Sequence, residues 1–270
     1  FVLLTGGIDI SVASIVAFTG VFAAFLLEKG WAAAPVIALT LFIGAFVGFL
    51  QGYAVHEFKI APFLITLAGQ FLMRGMCAVV STISIPITND FFKSAALAKI
   101  SWVTASGSRP KLYYYVFFAI AIVIIAWYIL RFTRFGRAVY AVGSNEQSAQ
   151  YMGLNVKGVK VGVYAINGFC SALGGILFSF YTLAGYSLQN MGMELDAISS
   201  AVIGGTLLTG GVGTVIGSMV GVLIQGIIQT IVTYQNLNTW WTKVTIAAIL
   251  CFFIVIQRLI AIRAEKDKAA

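Results

Sequence analysis

Glu194 and Asp196 stand two residues apart at the start of an apolar run, and paired carboxylates are the first arrangement to test for acid–base chemistry. Their spacing argues against it. Residues two apart on a helix face different ways, and no histidine or metal-ligand partner lies near them. The one histidine, His56, sits beside Glu57 at the end of another apolar segment, where a solvated ring compensating a helix C-terminus is the simple role. Cys77, Cys170 and Cys251 lie far apart inside apolar segments without metal-ligand spacing, the pattern of inert buried thiols. A membrane-embedded enzyme needs clustered His, Asp or Glu at depth, so that reading lacks its residues.

The acids instead mark places where glycine interrupts apolar sequence. Gly6-Gly7-Ile8-Asp9-Ile10-Ser11 breaks the first hydrophobic stretch. Glu194-Leu195-Asp196 opens another, which runs into Gly204-Gly205-Thr206 and Gly210-Gly211-Val212-Gly213. An acid at the centre of a spanning helix costs about 2.5–3.5 kcal/mol on insertion scales, so it faces protein or a water-filled path. Non-helical backbone at membrane depth is confined to the same places. Breaks in both halves of a chain are the sequence pointer to a transporter with a central path. Asp9, Ser11, Glu194 and Asp196 are therefore candidates for the path or its helix breaks. Capping competes with that role, since Asp9 and Asp196 each sit where they could N-cap the following helix. Gln70, Arg74, Asn167 and Gln225 are further in-span polar residues, more simply read as interhelical hydrogen bonds.

The elements that must position these groups follow from composition. Of 270 residues, 60% are apolar and 10% charged, too few charges to cover a soluble globule of this length. Apolar segments at 10–27, 35–54, 61–80, 112–130, 161–183, 196–211, 212–235 and 240–257 are apolar on both parities, which excludes the alternation of a spanning barrel. The expectation is an all-α, polytopic transmembrane bundle with discontinuous helices and about eight spans, a single domain over residues 1–270. The opening Phe1-Val2-Leu3-Leu4, apolar and without a basic lead, implies an N-terminal truncation that removed at least one upstream span. Gly44, Gly48 and Gly52, and likewise Gly213, Gly217 and Gly221, recur every fourth residue and predict close helix contacts.

If every segment crosses, the loop 131–160, the loop 55–60 and the C-terminal tail share one side, with ten Lys and Arg against six opposite. That side is predicted to be cytoplasmic. Trp31, Trp102, Trp240, Trp241 and Tyr113-Tyr114-Tyr115 sit at segment ends on the other side, as interfacial anchors do. The net charge of +8 thus reads as topology, with membrane lipid as the partner and no nucleic acid.

The loop 131–160 is polar and glycine-punctuated, yet it predicts a short amphipathic helix with Ser144 or Asn145 as N-cap and Gly153 as stop. Such a helix suits docking into a partner's groove. Here the sequence resembles a known family. Gly136-Arg137 through Ala141, Gly143, Asn145, Ala149 and Gly153 looks like the cytoplasmic coupling loop of ribose/xylose/galactoside-type permeases, the membrane subunits of ATP-binding-cassette (ABC) monosaccharide importers. Gly6-Gly7-Ile8-Asp9-Ile10-Ser11-Val12 and Glu194-Leu195-Asp196-Ala197-Ile198 through Gly213-Thr214 resemble the same family, in the same order. Ser144, Ser148 and Met152 depart from residues frequent in the family. Together with Tyr181–Tyr186 and Trp240-Trp241-Thr242-Lys243, they bring the chain nearest to galactofuranose-type permeases.

The resemblance implies about ten spans in a full-length chain. Two permease chains, the same or paralogues, would form the path, with two cytoplasmic ATP-binding subunits docked on the coupling loop. A periplasmic or lipid-anchored protein would deliver the sugar, at a bacterial inner membrane. No Gly-x-x-x-x-Gly-Lys-Ser/Thr loop is present, so ATP and magnesium belong to the partners and no cofactor to this chain. Arg137, Asn145, Glu146 and Gly153 are then the expected coupling residues. The related branched-chain amino-acid permeases share a Gly-x-Asp-Leu-Ser motif and are the alternative. Arg74 alone is a thin basis for holding their substrate's carboxylate.

Overall fold

Most long apolar runs of this sequence fold into helices, and the glycine clusters at 6–7, 204–205 and 210–211 lie outside them. The computed structural model describes residues 1–101, 111–235 and 240–269, so Trp102 and Arg109 lie outside the described residues. After a single 3₁₀ turn at Leu3–Thr5 come α1 (Val12–Glu28), α2 (Ala33–Glu57), α3 (Pro62–Val80) and α4 (Asp90–Leu97). They are followed by α5 (Tyr114–Phe132), α6 (Arg134–Ser144), α7 (Glu146–Tyr151) and α8 (Val156–Thr182). Last are α9 (Met193–Ile203), α10 (Val215–Tyr234) and α11 (Trp240–Ala269). Four short strands form two antiparallel pairs. In the first, β1 (Ile85–Pro86) joins β4 (Ala184–Gly185); in the second, β2 (Lys99–Ser101) joins β3 (Lys111–Tyr113).

Among the described residues five helices, α2, α3, α5, α8 and α10, are long and apolar enough to cross a bilayer. The 17-residue α1 is apolar all round and buried along nearly its whole length, as a helix at the centre of a bundle must be. Around it pack α2, α3 and α8. Large apolar side chains such as Phe42, Phe71, Leu72, Ile124 and Leu223 point outward, the inverse of a soluble surface. Trp31, Trp240 and Trp241 are exposed at helix ends.

The first glycine trio does what its spacing predicts. A methyl at Gly44 or Gly48 would overlap the α8 backbone at Gly168 or Tyr164, and one at Gly168 would overlap the Gly44 carbonyl. The backbones of α2 and α8 therefore touch, a packing driven by dispersion where the hydrophobic effect is absent. The second trio behaves differently. Gly217 and Gly221 abut Gly204 and Ser200 at the end of α9, but Gly213 precedes α10, whose N-cap is Thr214. It packs instead on Thr206 and Leu4.

One expected span is corrected. Residues 196–211 are not a continuous helix: α9 has 11 residues and stops at Gly204. An 11-residue helix rises only about 16 Å, half a hydrocarbon core. Gly205, Gly210 and Gly211, all at positive φ, then turn the chain irregularly toward α10. At the other extreme, α11 continues well past residue 257, to Ala269.

Candidate functional site

The loop 131–160 is built as two helices at one end of the bundle. Thr133 caps α6 by accepting from the Gly136 N–H, and Asn145 caps α7 by accepting from the Ser148 N–H at 2.8 Å. After α7, Gly153 takes φ +79° and donates to the Gln150 carbonyl, the left-handed exit that favours glycine. The Glu146 carboxylate receives Lys160 Nζ of α8 at 2.7 Å, fastening α7 to a spanning helix. A second bridge, Lys157 to Glu57 at 2.6 Å, ties the ends of α8 and α2. Arg137 is exposed and makes only a long 3.4 Å bond to the Phe132 carbonyl. Beyond Glu146 the loop ends in two large exposed side chains, Tyr151 at 89% and Met152 at 69% exposure. Between α7 and the α2–α3 turn lies a cleft of about 720 Å³, lined by His56, Lys59, Asn145, Glu146, Gln150 and Lys160 among others.

Behind this loop the two glycine breaks interlock. The Gly211 N–H donates to the Leu4 carbonyl at 2.8 Å, joining residues 204–214 to the 3₁₀ turn. Seated over both is α6. A methyl at Gly143 would overlap the Leu4 carbonyl oxygen and come within 2.7 Å of Gly211 N. The Tyr140 hydroxyl donates to the Gly213 carbonyl at 2.7 Å. Burial raises the Tyr140 phenol above its ordinary pKa, so it remains a donor at physiological pH. One helix of the polar loop thus touches both breaks through backbone contacts.

Asp9 follows the first break and is 6% exposed. Its Oδ1 accepts from the Ser11 N–H at 2.8 Å and the Ser11 hydroxyl at 2.7 Å, while Oδ2 accepts from Asn167 Nδ2 of α8 at 2.7 Å. Gln51 of α2 bonds the same hydroxyl. Ser11, the residue at the N-cap of α1, makes no side-chain cap bond, so Asp9 closes a local turn and pins α8 rather than capping the helix. Gly69 of α3 leaves the room the Gln51 amide occupies.

The other acids sit elsewhere. Glu194 and Asp196 lie in the first turn of α9, whose N-cap is Gly192, so Asp196 is not the cap its position in the sequence suggests. Glu194 Oε1 accepts from Gln70 Nε2 at 3.1 Å, and the Gln225 side chain lies close to Asp196. Arg74 Nη1 donates to the Ser187 and Gln189 carbonyls at 2.8 and 2.9 Å. That arginine therefore satisfies two carbonyls of the irregular backbone between β4 and α9.

Residues 1–254 match the family described as branched-chain amino acid transport system, permease component. The chain is 42% identical, over its whole length and 81% of the relative's, to the inner membrane ABC transporter permease protein YjfF of Escherichia coli (strain K12). It is 36% identical, over 96% of its length and 76% of the relative's, to the fructose import permease protein FruG of Bifidobacterium longum. The ribose import permease protein RbsC of Haemophilus influenzae is 35% identical over 93% of this chain and 76% of its own. The chain belongs to this family of ABC permeases. No solved structure matches it.

Within the permease, the eight residues singled out from sequence form three groups and not one site. Asn145, Glu146 and Gly153 build α7, with Arg137 outside it on α6; Asp9 and Ser11 form a brace; Glu194 and Asp196 start a half-helix. Sequence reasoning passed over Gln51, although a polar residue seven positions after Gly44 falls on the glycine face of α2. It gave Tyr140 no role and Gly143 only a place in the coupling-loop resemblance, because what both do depends on contacts between distant segments.

Proposed function

We propose that this permease subunit moves a neutral monosaccharide, galactofuranose or another furanose or pentose, inward across a bacterial inner membrane. Two ATP-hydrolysing subunits drive it from the cytoplasmic side. A second permease chain completes the path, and a periplasmic or lipid-anchored protein delivers the sugar. The sugars in the names of FruG and RbsC support the substrate class. The family description covers branched-chain amino acids as well. Against that alternative, Arg74, the arginine in a span, spends its Nη1 on two backbone carbonyls.

The observation that carries the mechanism is α6, resting on both helix breaks while α7 presents Tyr151 and Met152 outward. A partner that grips those two side chains displaces the breaks through Gly143 and Tyr140. Asn145 and Gly153 fix the ends of α7, and Glu146 transmits its position to α8 through Lys160. In this reading residues 131–160 are the coupling loop, and the C-terminus lies on the same cytoplasmic face. ATP and magnesium stay with the partners.

The test is uptake in a transport-null bacterium expressing the whole transporter, with labelled galactofuranose, ribose, xylose and fructose offered beside leucine. Sugar accumulation that collapses in a Tyr151→Ala/Met152→Ala variant of equal membrane abundance supports both parts. Leucine uptake without sugar uptake removes the substrate class, and full uptake by the variant removes the docking role.

A further inference from the structure

Gln70 lies halfway along α3 and bonds Glu194, and Gln225, halfway along α10, lies close to Asp196, so both acids lie near the middle of the membrane. The half-helix α9 therefore starts at that depth. The chain reaches it from the end of α8 through the short strand β4 and then an irregular descent whose Ser187 and Gln189 carbonyls Arg74 holds. Non-helical backbone meeting a half-helix at the midplane is the architecture of a transport site.

Two side-chain atoms there are buried without a partner among the described residues: Glu194 Oε2 and Asn190 Nδ2. They differ in kind. One is an acceptor and the other a donor, and they are separated by about one turn of chain, with the Met193 N–H bonded to the Asn190 carbonyl. Buried polar atoms in native proteins are nearly always satisfied, so each such exception calls for a reason. The first glycine break shows the contrast, because both oxygens of Asp9 are bonded.

We propose that Glu194 and Asn190 contact the transported sugar, with Glu194 Oε2 accepting from one hydroxyl and Asn190 Nδ2 donating to a neighbouring one. This rests on the sugar-importer reading above and gives it an address. A hydroxyl both donates and accepts, so a vicinal diol complements the pair without requiring a charge on the ligand. Gln70 and Arg74 are positioning residues: the first orients the Glu194 carboxylate and the second fixes the segment carrying Asn190. One hydrogen bond to each atom gives modest affinity, which suits a ligand that must also leave.

The experiment uses the whole transporter with its binding protein and ATPase, comparing wild type with Glu194→Gln and Asn190→Asp. Both variants keep side-chain volume, and the amide introduced by Glu194→Gln retains an oxygen for Gln70. Uptake is measured over concentration for the parent sugar and for its monodeoxy analogues. The expected result is a KM raised about tenfold in each variant, as for loss of a hydrogen bond to a charged or buried group. In addition, one deoxy analogue that wild type discriminates against should lose that penalty in the Glu194→Gln variant. A purely structural role would not erase preference for a single hydroxyl. Wild-type KM and unchanged deoxy discrimination in both variants overturn the site and leave the importer standing. Failure of wild type to accumulate any sugar removes the importer reading and the site's ligand together.

Discussion

Gly143→Ala tests whether α6 couples the polar loop to the two helix breaks. The added methyl would overlap the Leu4 carbonyl oxygen and lie 2.7 Å from Gly211 N and 2.8 Å from Leu4 C. Ordinary contact begins near 3.4 Å, so the Gly211 contact alone asks α6 to withdraw by about 0.7 Å and the closer Leu4 oxygen asks for more. Backbone atoms line the obstruction, and neither side has a flexible end to swing away. Overpacking of this kind costs about 1–3 kcal/mol. That penalty falls on the packing in which α6 touches both breaks, relative to any packing in which they part. It therefore shifts the balance between them by about 5- to 150-fold. The atoms nearest this methyl belong to Leu4 and Gly211 and not to the spanning helices α1, α2 and α8, so the bundle should assemble normally. In proteoliposomes holding the complete transporter, ATP hydrolysis is expected to persist while sugar moved per ATP falls by a factor in that range. Gly75→Ala is the matched control, since a methyl there meets nothing within 4 Å and improves helix propensity. Unchanged sugar per ATP in the Gly143 variant would refute α6 as the link.

Three further outcomes follow from the same contacts. Gly48→Ala drives a methyl into the Tyr164 carbonyl across the α2–α8 seam, and thermal unfolding in detergent should show a loss of about 1–3 kcal/mol. Tyr140→Phe removes the donor to the Gly213 carbonyl, and transport should fall about five- to tenfold without loss of protein, read as uptake per molecule in the membrane. Glu146→Gln breaks an ion pair in which Lys160 is 16% exposed and Glu146 48%, so stability should drop by under about 1 kcal/mol, and less in high salt; a larger loss would mean the bridge acts as a buried one.

The helices are legible because bilayer burial demands long apolar runs, and the ends of α1, α3, α5 and α10 fall within three residues of the apolar limits. The expected cap at Asn145 and the glycine stop at Gly153 both form, since local hydrogen bonding decides them. What stays hidden is whatever depends on tertiary contact. The glycines at 204 and 205 mark an interruption in the segment 196–211, but hydropathy cannot tell a spanning helix from a half-helix and a turn, so the end of α9 stays hidden. Gly213 looks equivalent to Gly217 and Gly221 because spacing alone assumes a continuous helix. The meeting of Leu4 with Gly211 joins segments two hundred residues apart, and no periodicity encodes it.

Asp9 and Glu194 have the same standing in the sequence, as acids beside breaks in apolar runs, and their surroundings separate them. Asp9 has spent both oxygens on Ser11 and Asn167, so admitting a ligand there would mean breaking bonds that hold α8 against the first break. Each lost bond to a buried carboxylate costs about 1.5–3 kcal/mol, more than a weakly held sugar returns. Glu194 has one oxygen on Gln70 and the other without a partner among the described residues. A ligand hydroxyl at Oε2 relieves a buried group without disturbing its support. Of two acids that hydropathy treats alike, the satisfied one is suited to bracing a helix junction and the half-satisfied one to exchanging partners as a substrate passes.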